Sequence, residues 1–319
     1  MSSHENQYFE LSEFAFYDGS ILPQVKIAYR ILNPHNSRIA VVHTCFRGRI
    51  DSTWTAANGA LKGHKVVVIA LFGNGESSSP SNTPKFPKIL DYQDCIKAQH
   101  ELLTKELGID RVDVMLGFSM GGQITYHFCA THPTFAKNAV IICSSAKTSQ
   151  HNYQFLEGPK AALENAVSPE RGVRAFGKAY SAWLTSAEWF DKELYKQLGH
   201  DSLAAWDEAA TGSGYNGWTG DDLLVMLGMW QRGDISRCVP SANGDLKKAL
   251  MSIEARVLLM PCLTDQYFRP YVNEKEVKSL QHGKCEVVPS IWGHIAGGGA
   301  NPTDVEWMEK KIGELLHED

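Results

Sequence analysis

The chain has no excess of positive charge: its 31 lysines and arginines are outnumbered by 36 aspartates and glutamates, giving a formal net charge of -5. Nucleic acid is held chiefly by cationic side chains on phosphates, so it is not an expected partner. No uncharged apolar run approaches the ~18 residues of a membrane span, and no membrane partner is expected either. The opening stretch MSSHENQYFE has neither a positive region nor an apolar core, which argues against a secretory signal. Patterned cysteine is missing too. The seven cysteines are odd in number, none forms a C-x-x-C pair or a metal-like spacing, and Cys129 and Cys143 sit within apolar stretches. There is no Asn-x-Ser/Thr site free of proline, no internal repeat and no low-complexity tract. These absences predict a cytoplasmic chain with reduced, buried thiols and no metal.

With 43% apolar residues, 319 residues can bury a large core. The segments FELSEFAF and VKIAYRIL flank Asp18-Gly19 and predict a hairpin. Near-continuous apolar runs follow: IAVV (39 to 42), VVVIAL (66 to 71), VDVML (112 to 116), AVIIC (139 to 143) and RVLLM (256 to 260). Such runs mark strands of a parallel sheet buried on both faces. Helical patterns lie between them, notably DYQDCIKAQHELLTKELG (91 to 108) and QITYHFCATHP (123 to 133). Strand and helix alternate as in a doubly wound α/β fold. From about 155 to 250 the alternation stops, and five of the eight tryptophans fall there: Trp183, Trp189, Trp206, Trp218 and Trp230. This predicts a helical cap over the carboxyl ends of the strands, inserted between core segments 1 to 154 and 251 to 319.

The chemistry centres on GFSMGG, Gly117 to Gly122, directly after the buried run VDVML and at the start of a helical pattern. Gly-x-Ser-x-Gly in that context predicts a nucleophile elbow, a sharp turn that lifts the Ser119 hydroxyl clear of the sheet edge. A serine hydroxyl needs a base within hydrogen-bond reach and an acid to hold that base in the right tautomer, in the chain order Ser, acid, His. Asp265 follows RVLLMPCLT, with Asp234 or Glu254 as alternatives. His294 follows the strand-like run CEVVPS. Of the twelve histidines, His100, His127 and His132 fall in or at the end of helical patterns, and His4 and His317 in the terminal segments. A tetrahedral oxyanion needs preorganised N–H donors, each worth roughly 3 kcal/mol of barrier. Met120 supplies one, and the segment HTCFRG the other through Cys45, with Thr44 and Phe46 as alternatives. A rival reading makes Cys45 a thiol nucleophile with His43. Gly212-S-Gly214-Y-N-Gly217 matches a dinucleotide fingerprint but follows a helical run and reads as a cap loop, and GNGESSSPSNTP (73 to 84) reads as an ordered loop near the site.

The stretches LFGNGESSSPSNTP, GFSMGGQITY, ICSSAKTSQHNYQFLEG, TDQYFRP and GHIAGGGANP, in register over nearly the whole chain, resemble the homoserine O-acetyltransferase family of α/β-hydrolases. The likeness is closer to its hydrolase-like branch of esterases and fungal biosynthetic members. The resemblance implies an α/β-hydrolase fold with a mostly parallel eight-stranded sheet. It also implies Ser119, Asp265 and His294 as a triad, Cys45 and Met120 as oxyanion donors, and a homodimer formed through the cap helices. Homoserine acetyltransferases carry an aspartate for the substrate ammonium directly after the catalytic histidine, where this chain has Ile295, and HTCFRG replaces their corresponding loop. An apolar residue cannot neutralise that charge, so homoserine is not the expected acceptor. Phe46, Arg47, Trp183, Trp218 and Ile295 are candidate substrate contacts, with Arg47 and Arg49 suited to an acidic substrate. The expected activity is hydrolysis of a small or secondary-metabolite acyl ester without a cofactor. The alternatives are O-acyl transfer with acetyl-CoA or another acyl-CoA thioester as co-substrate, and a non-catalytic binding protein.

Overall fold

The computed structural model describes residues 5 to 317, so that His4 lies outside the described residues. The hairpin forms as expected: Gln7–Ala15 (β1) and Ile21–Leu32 (β2) pair antiparallel about a turn in which Gly19 takes a φ of +88°. Arg38–His43 (β3), His64–Ile69 (β4), Val112–Phe118 (β5), Ala136–Ile142 (β6), Arg256–Met260 (β7) and Gly283–Cys285 (β8) complete one eight-stranded sheet. Its order is β1-β2-β4-β3-β5-β6-β7-β8, with β2 antiparallel to β4 and every later pair parallel. Successive residues of a strand face opposite sides of the sheet. Val41, Met115, Ile141 and Leu259 enter one buried cluster, and Val42, Leu116, Val140 and Leu258 the other. Both faces are covered, which is why these strands read as unbroken apolar runs.

Tyr92–Glu101 (α1) and Met120–Thr131 (α2) pack on the first face. Asp91 caps α1, accepting from the Gln93 N–H. The helix expected to reach residue 108 instead passes at Leu102 into a π-type turn ending at Glu106, with the Leu107 N–H donating to the Leu102 carbonyl. Thr104 bonds back to the His100 carbonyl at 2.7 Å, a local competitor for the regular ladder.

Between β6 and β7 the structure is helical: Gln150–Glu164 (α3), Pro169–Ser181 (α4), Ala187–Asp191 (α5), Leu203–Thr211 (α6), Gly220–Gln231 (α7) and Leu246–Met251 (α8), joined by short 3-10 turns. Leu156, Phe176, Leu223 and Trp230 of this insert share one cluster with the sheet residues, so the insert and the sheet have a continuous core. After β7 come Pro270–Glu276 (α9) and Pro302–His317 (α10); Met308 and Ile312 of α10 cover the second face.

The strand expected over CEVVPS is shorter and earlier. β8 ends at Cys285; beyond it the Glu286 N–H still donates to the Leu259 carbonyl at 2.9 Å, and Val288 forms an isolated bridge to Cys262. Pro289 has no N–H for a ladder, and this strand is the sheet edge, where such an interruption is tolerated. Among the described residues no helix is long and apolar enough to cross a membrane.

Candidate active site

Ser119 stands between the last residue of β5 and the first of α2, with φ 58° and ψ -125°, a conformation that costs a residue with a Cβ on the order of 1–3 kcal/mol. The turn around it is crowded. A Cβ on Gly117 would lie 2.0 Å from the Gly121 carbonyl oxygen, and one on Gly121 would lie 2.8 Å from that of His43. Both glycines are there because backbone meets backbone, which is what the motif's spacing encodes. The Ser119 N–H extends the ladder to the Ile142 carbonyl at 2.9 Å, and its own carbonyl accepts from Gly122 and Gln123 and from the Ser144 hydroxyl at 2.7 Å.

Three distant segments converge on the hydroxyl. His294, in the 3-10 turn Gly293–Gly298, places Nε2 2.9 Å from Ser119 Oγ and Nδ1 2.8 Å from Asp265 Oδ2. The other oxygen of Asp265 accepts from the Tyr267 N–H at 2.7 Å and the Phe268 N–H at 3.2 Å, fixing the carboxylate plane. All three side chains are buried, with 2%, 3% and 4% exposure for Ser119, Asp265 and His294, so their interactions are poorly screened. Phe118, Tyr267 and Phe268 surround the imidazole at ring-centre distances of 4.6, 4.7 and 5.7 Å. The alternative acids are elsewhere: Asp234 pairs with Lys147 at 2.8 Å, and Glu254 is exposed.

Met120 is the first residue of α2, so its N–H has no acceptor within the helix and lies at the positive end of the helix dipole. In the segment after β3, the Thr44 N–H is committed to the Ile69 carbonyl at 3.1 Å, which removes Thr44 as an alternative donor. The rival thiol reading fails on electrostatics. Burial pushes the Cys45 thiol up to about 12 and His43 down to about 3, the reverse of a thiolate–imidazolium pair.

Two of the expected substrate contacts are engaged within the chain. Arg47 lies over the Tyr215 ring at 4.0 Å, and Trp218 carries the Arg49 guanidinium at 4.2 Å. Trp218 lines a separate cleft of about 1130 Å³ on the insert, formed by residues 163 to 224. Arginine prefers these aromatic faces and the carbonyls beside them to water. Phe46 is buried among Phe176, Tyr180 and Trp230 at 5.6 to 6.0 Å, and with Cys45, Arg47, Trp54, Phe118 and Gly298 it lines a cavity of about 200 Å³, next to Ser119 in the chain through Phe118. Trp183 is one ring further out, 5.0 Å from Phe155, which stacks on Tyr267 at 4.7 Å. Ile295 is half-buried, its N–H donating to the Leu184 carbonyl at 3.3 Å.

Sequence reasoning did not place Cys143 or Glu276 at the site. Cys143, concealed in the apolar run AVIIC, has a φ of 44°, and its Sγ lies within 4.8 Å of ligand atoms on Asp265 and His294. Glu276, on the short helix α9, is buried behind the elbow, where it accepts from the Ala146 N–H at 2.9 Å, Tyr126 Oη at 2.9 Å and Asn273 Nδ2 at 2.8 Å. Asn273 also donates to the Ser144 carbonyl at 2.9 Å, so this network supports the segment that holds the Ser119 carbonyl.

Burial raises Glu276 to about 7 against the opposing pull of its three donors. The folded chain therefore binds this proton more tightly than the unfolded chain, and the associated stability, present at low pH, is lost as pH rises through about 7. Between about pH 5 and pH 8 the wild type is expected to lose up to about 3 kcal/mol relative to Glu276→Gln. Denaturation midpoints of the two proteins across that range check this, and a difference independent of pH would refute it.

A family model described as alpha/beta hydrolase fold matches residues 41–297. The chain is similar to an ethyl acetate hydrolase from Pseudomonas veronii, with 29% identity over 94% of this chain and 92% of that one. It is 26% identical to a homoserine O-acetyltransferase from Haemophilus influenzae, over 76% of this chain and 71% of that protein, in keeping with the family resemblance. Among solved structures, that of the acetyl esterase MekB superposes with a TM-score of 0.91 at 27% identity, covering 98% of this chain and 96% of the other.

Proposed function

The chain belongs to the alpha/beta hydrolase family, and on that premise we propose that it is a serine esterase of small acyl esters, working through an acyl-enzyme on Ser119. One observation carries the reading: the unbroken hydrogen-bonded path from Ser119 Oγ through His294 to Asp265 in a buried setting. Ser119 attacks the ester carbonyl while His294 Nε2 takes its proton, and Asp265 holds Nδ1–H and stabilises the imidazolium. The N–H groups of Met120 and Cys45 donate hydrogen bonds to the developing oxyanion. His294 then gives its proton to the departing alcohol, and a water activated by the same imidazole hydrolyses the acyl-enzyme, returning the hydroxyl.

A small substrate is supported by the cavity of about 200 Å³ beside Phe118 and Cys45, below the ~300 Å³ at which pockets for drug-sized ligands begin. The similar ethyl acetate hydrolase and acetyl esterase point the same way. Acyl transfer is the second reading, favoured by the similarity to a homoserine O-acetyltransferase. Ile295 leaves no counter-charge for an ammonium there, so the acceptor would be a different alcohol.

A series of p-nitrophenyl esters from acetate to octanoate, hydrolysed in water alone, tests the proposal. Steady turnover with the largest kcat/KM for the shortest acyl groups is the expected result. Turnover only on addition of an alcohol, with thiol release from acetyl-CoA, would replace it by the transferase. No turnover, together with no labelling of Ser119 by a fluorophosphonate, would leave a binding protein.

A further inference from the structure

The segment Cys45 to Arg49 is held from two sides. Towards the sheet, the Gly48 N–H closes a turn on the Cys45 carbonyl at 2.8 Å, and Asn74 Nδ2 donates to the Gly48 carbonyl at 3.2 Å. Towards the helical insert, Arg47 donates from one terminal nitrogen to the Gly214 carbonyl at 2.9 Å and from the other to Tyr215 Oη at 3.3 Å, with its guanidinium over the Tyr215 ring. Arg49 repeats the arrangement one turn further on, donating to the Gly217 carbonyl at 2.9 Å and lying over Trp218. Phe46, directly before Arg47, is packed on Phe176, Tyr180 and Trp230 of the insert.

The turn is also strained. Arg47 occupies its third position with a φ of 57°, a place that favours glycine or asparagine, and such a conformation persists only where its surroundings over-determine it. The anchors on Gly214 and Tyr215 are such surroundings. The first residue of the same turn is Cys45, whose N–H is the second oxyanion donor in the mechanism above.

We propose that Arg47 and Arg49 are positioning residues for the oxyanion: they lock the turn that carries the Cys45 N–H onto the loop Gly212 to Trp218 of the insert, so that the donor is aimed only while that loop is seated. The proposal rests on the esterase reading of Ser119. An acidic substrate is not needed to account for either arginine. An interaction made through a preorganised donor is realised in the transition state, so its loss falls on kcat and leaves KM nearly unchanged.

The test is a cycle of Arg47→Ala, Tyr215→Leu and their double variant, with Arg47→Lys and Arg49→Ala alongside, all judged folded by circular dichroism. Turnover of p-nitrophenyl acetate and the rate of Ser119 phosphonylation by a fluorophosphonate are both measured. The expected loss in kcat for Arg47→Ala is about tenfold to a hundredfold, a fraction of the ~10²–10³ lost when a donor is removed outright. Phosphonylation slows in parallel, KM stays within about twofold, and the double variant is no worse than either single one because the two residues act as a unit. Arg47→Lys, which keeps the charge over the ring but loses the forked contact, falls between. An unchanged kcat in folded variants, a loss confined to KM, or additive losses would each overturn the proposal. Should Arg47→Ala fail to fold, Arg47→Lys and Tyr215→Leu decide by the same criteria. A wild type that neither turns over the ester nor labels at Ser119 overturns the esterase reading itself, an outcome distinct from an active wild type with insensitive variants.

Discussion

Ser119→Ala is expected to fold normally and to lose ester turnover by roughly 10⁶-fold in kcat, the scale seen when a triad nucleophile is deleted. Among the described residues the hydroxyl has one hydrogen-bond partner, His294 Nε2 at 2.9 Å, so its removal costs the native state only about 1 kcal/mol. Alanine keeps the Cβ and must still adopt the φ of 58° at the elbow, so the strain of the turn is neither relieved nor increased. What remains is the roughly 10³–10⁴-fold acceleration over water that binding and oxyanion donors supply without a nucleophile. Steady-state kinetics on p-nitrophenyl acetate, with fluorophosphonate labelling and a melting curve, give the three readouts together. Activity within a hundredfold of wild type would mean that another group attacks the ester.

Much of this site is legible in the sequence because its determinants are local. Gly117 is required by backbone contacts within the turn itself and Gly121 by the backbone at the end of the adjacent strand β3, and the apolar runs of β3, β5, β6 and β7 follow from burial on both sheet faces. Asp265 and His294 are found from chain order and from their places after sheet strands, although the second of these strands is reduced to Gly283–Cys285. Features that depend on distant partners leave no such trace. Arg47 meets Tyr215 across 168 residues, and nothing near either residue records the pairing, so the arginine reads as free to meet a substrate. Cys143 has the composition of a strand interior, and only its place at the end of β6 brings its sulfur beside Asp265. Glu276, on a seven-residue helix, looks like a solvated charge until Tyr126, Asn273 and Ala146 close around it.

Asp265→Asn is expected to lower kcat by about 10⁴-fold at neutral pH while leaving the backbone of the site in place. The orientation of the amide decides the outcome. The N–H groups of Tyr267 and Phe268 both donate to Asp265 Oδ1, so the asparagine carbonyl must take that position, which turns its NH₂ toward His294 Nδ1. Two donors cannot face each other across the 2.8 Å that separates the native pair. The imidazole therefore holds its proton on Nε2, opposite Ser119 Oγ, and loses the lone pair that would accept the hydroxyl proton. Kinetics at neutral pH measure the loss, and the chemical shift of the His294 ring protons reports the tautomer. Neither alternative acid is placed to compensate, since Asp234 is bound to Lys147 and Glu254 is exposed. A fall of less than about tenfold would mean that His294 acquires its tautomer without Asp265, and the three-residue path would then reduce to a serine and a histidine.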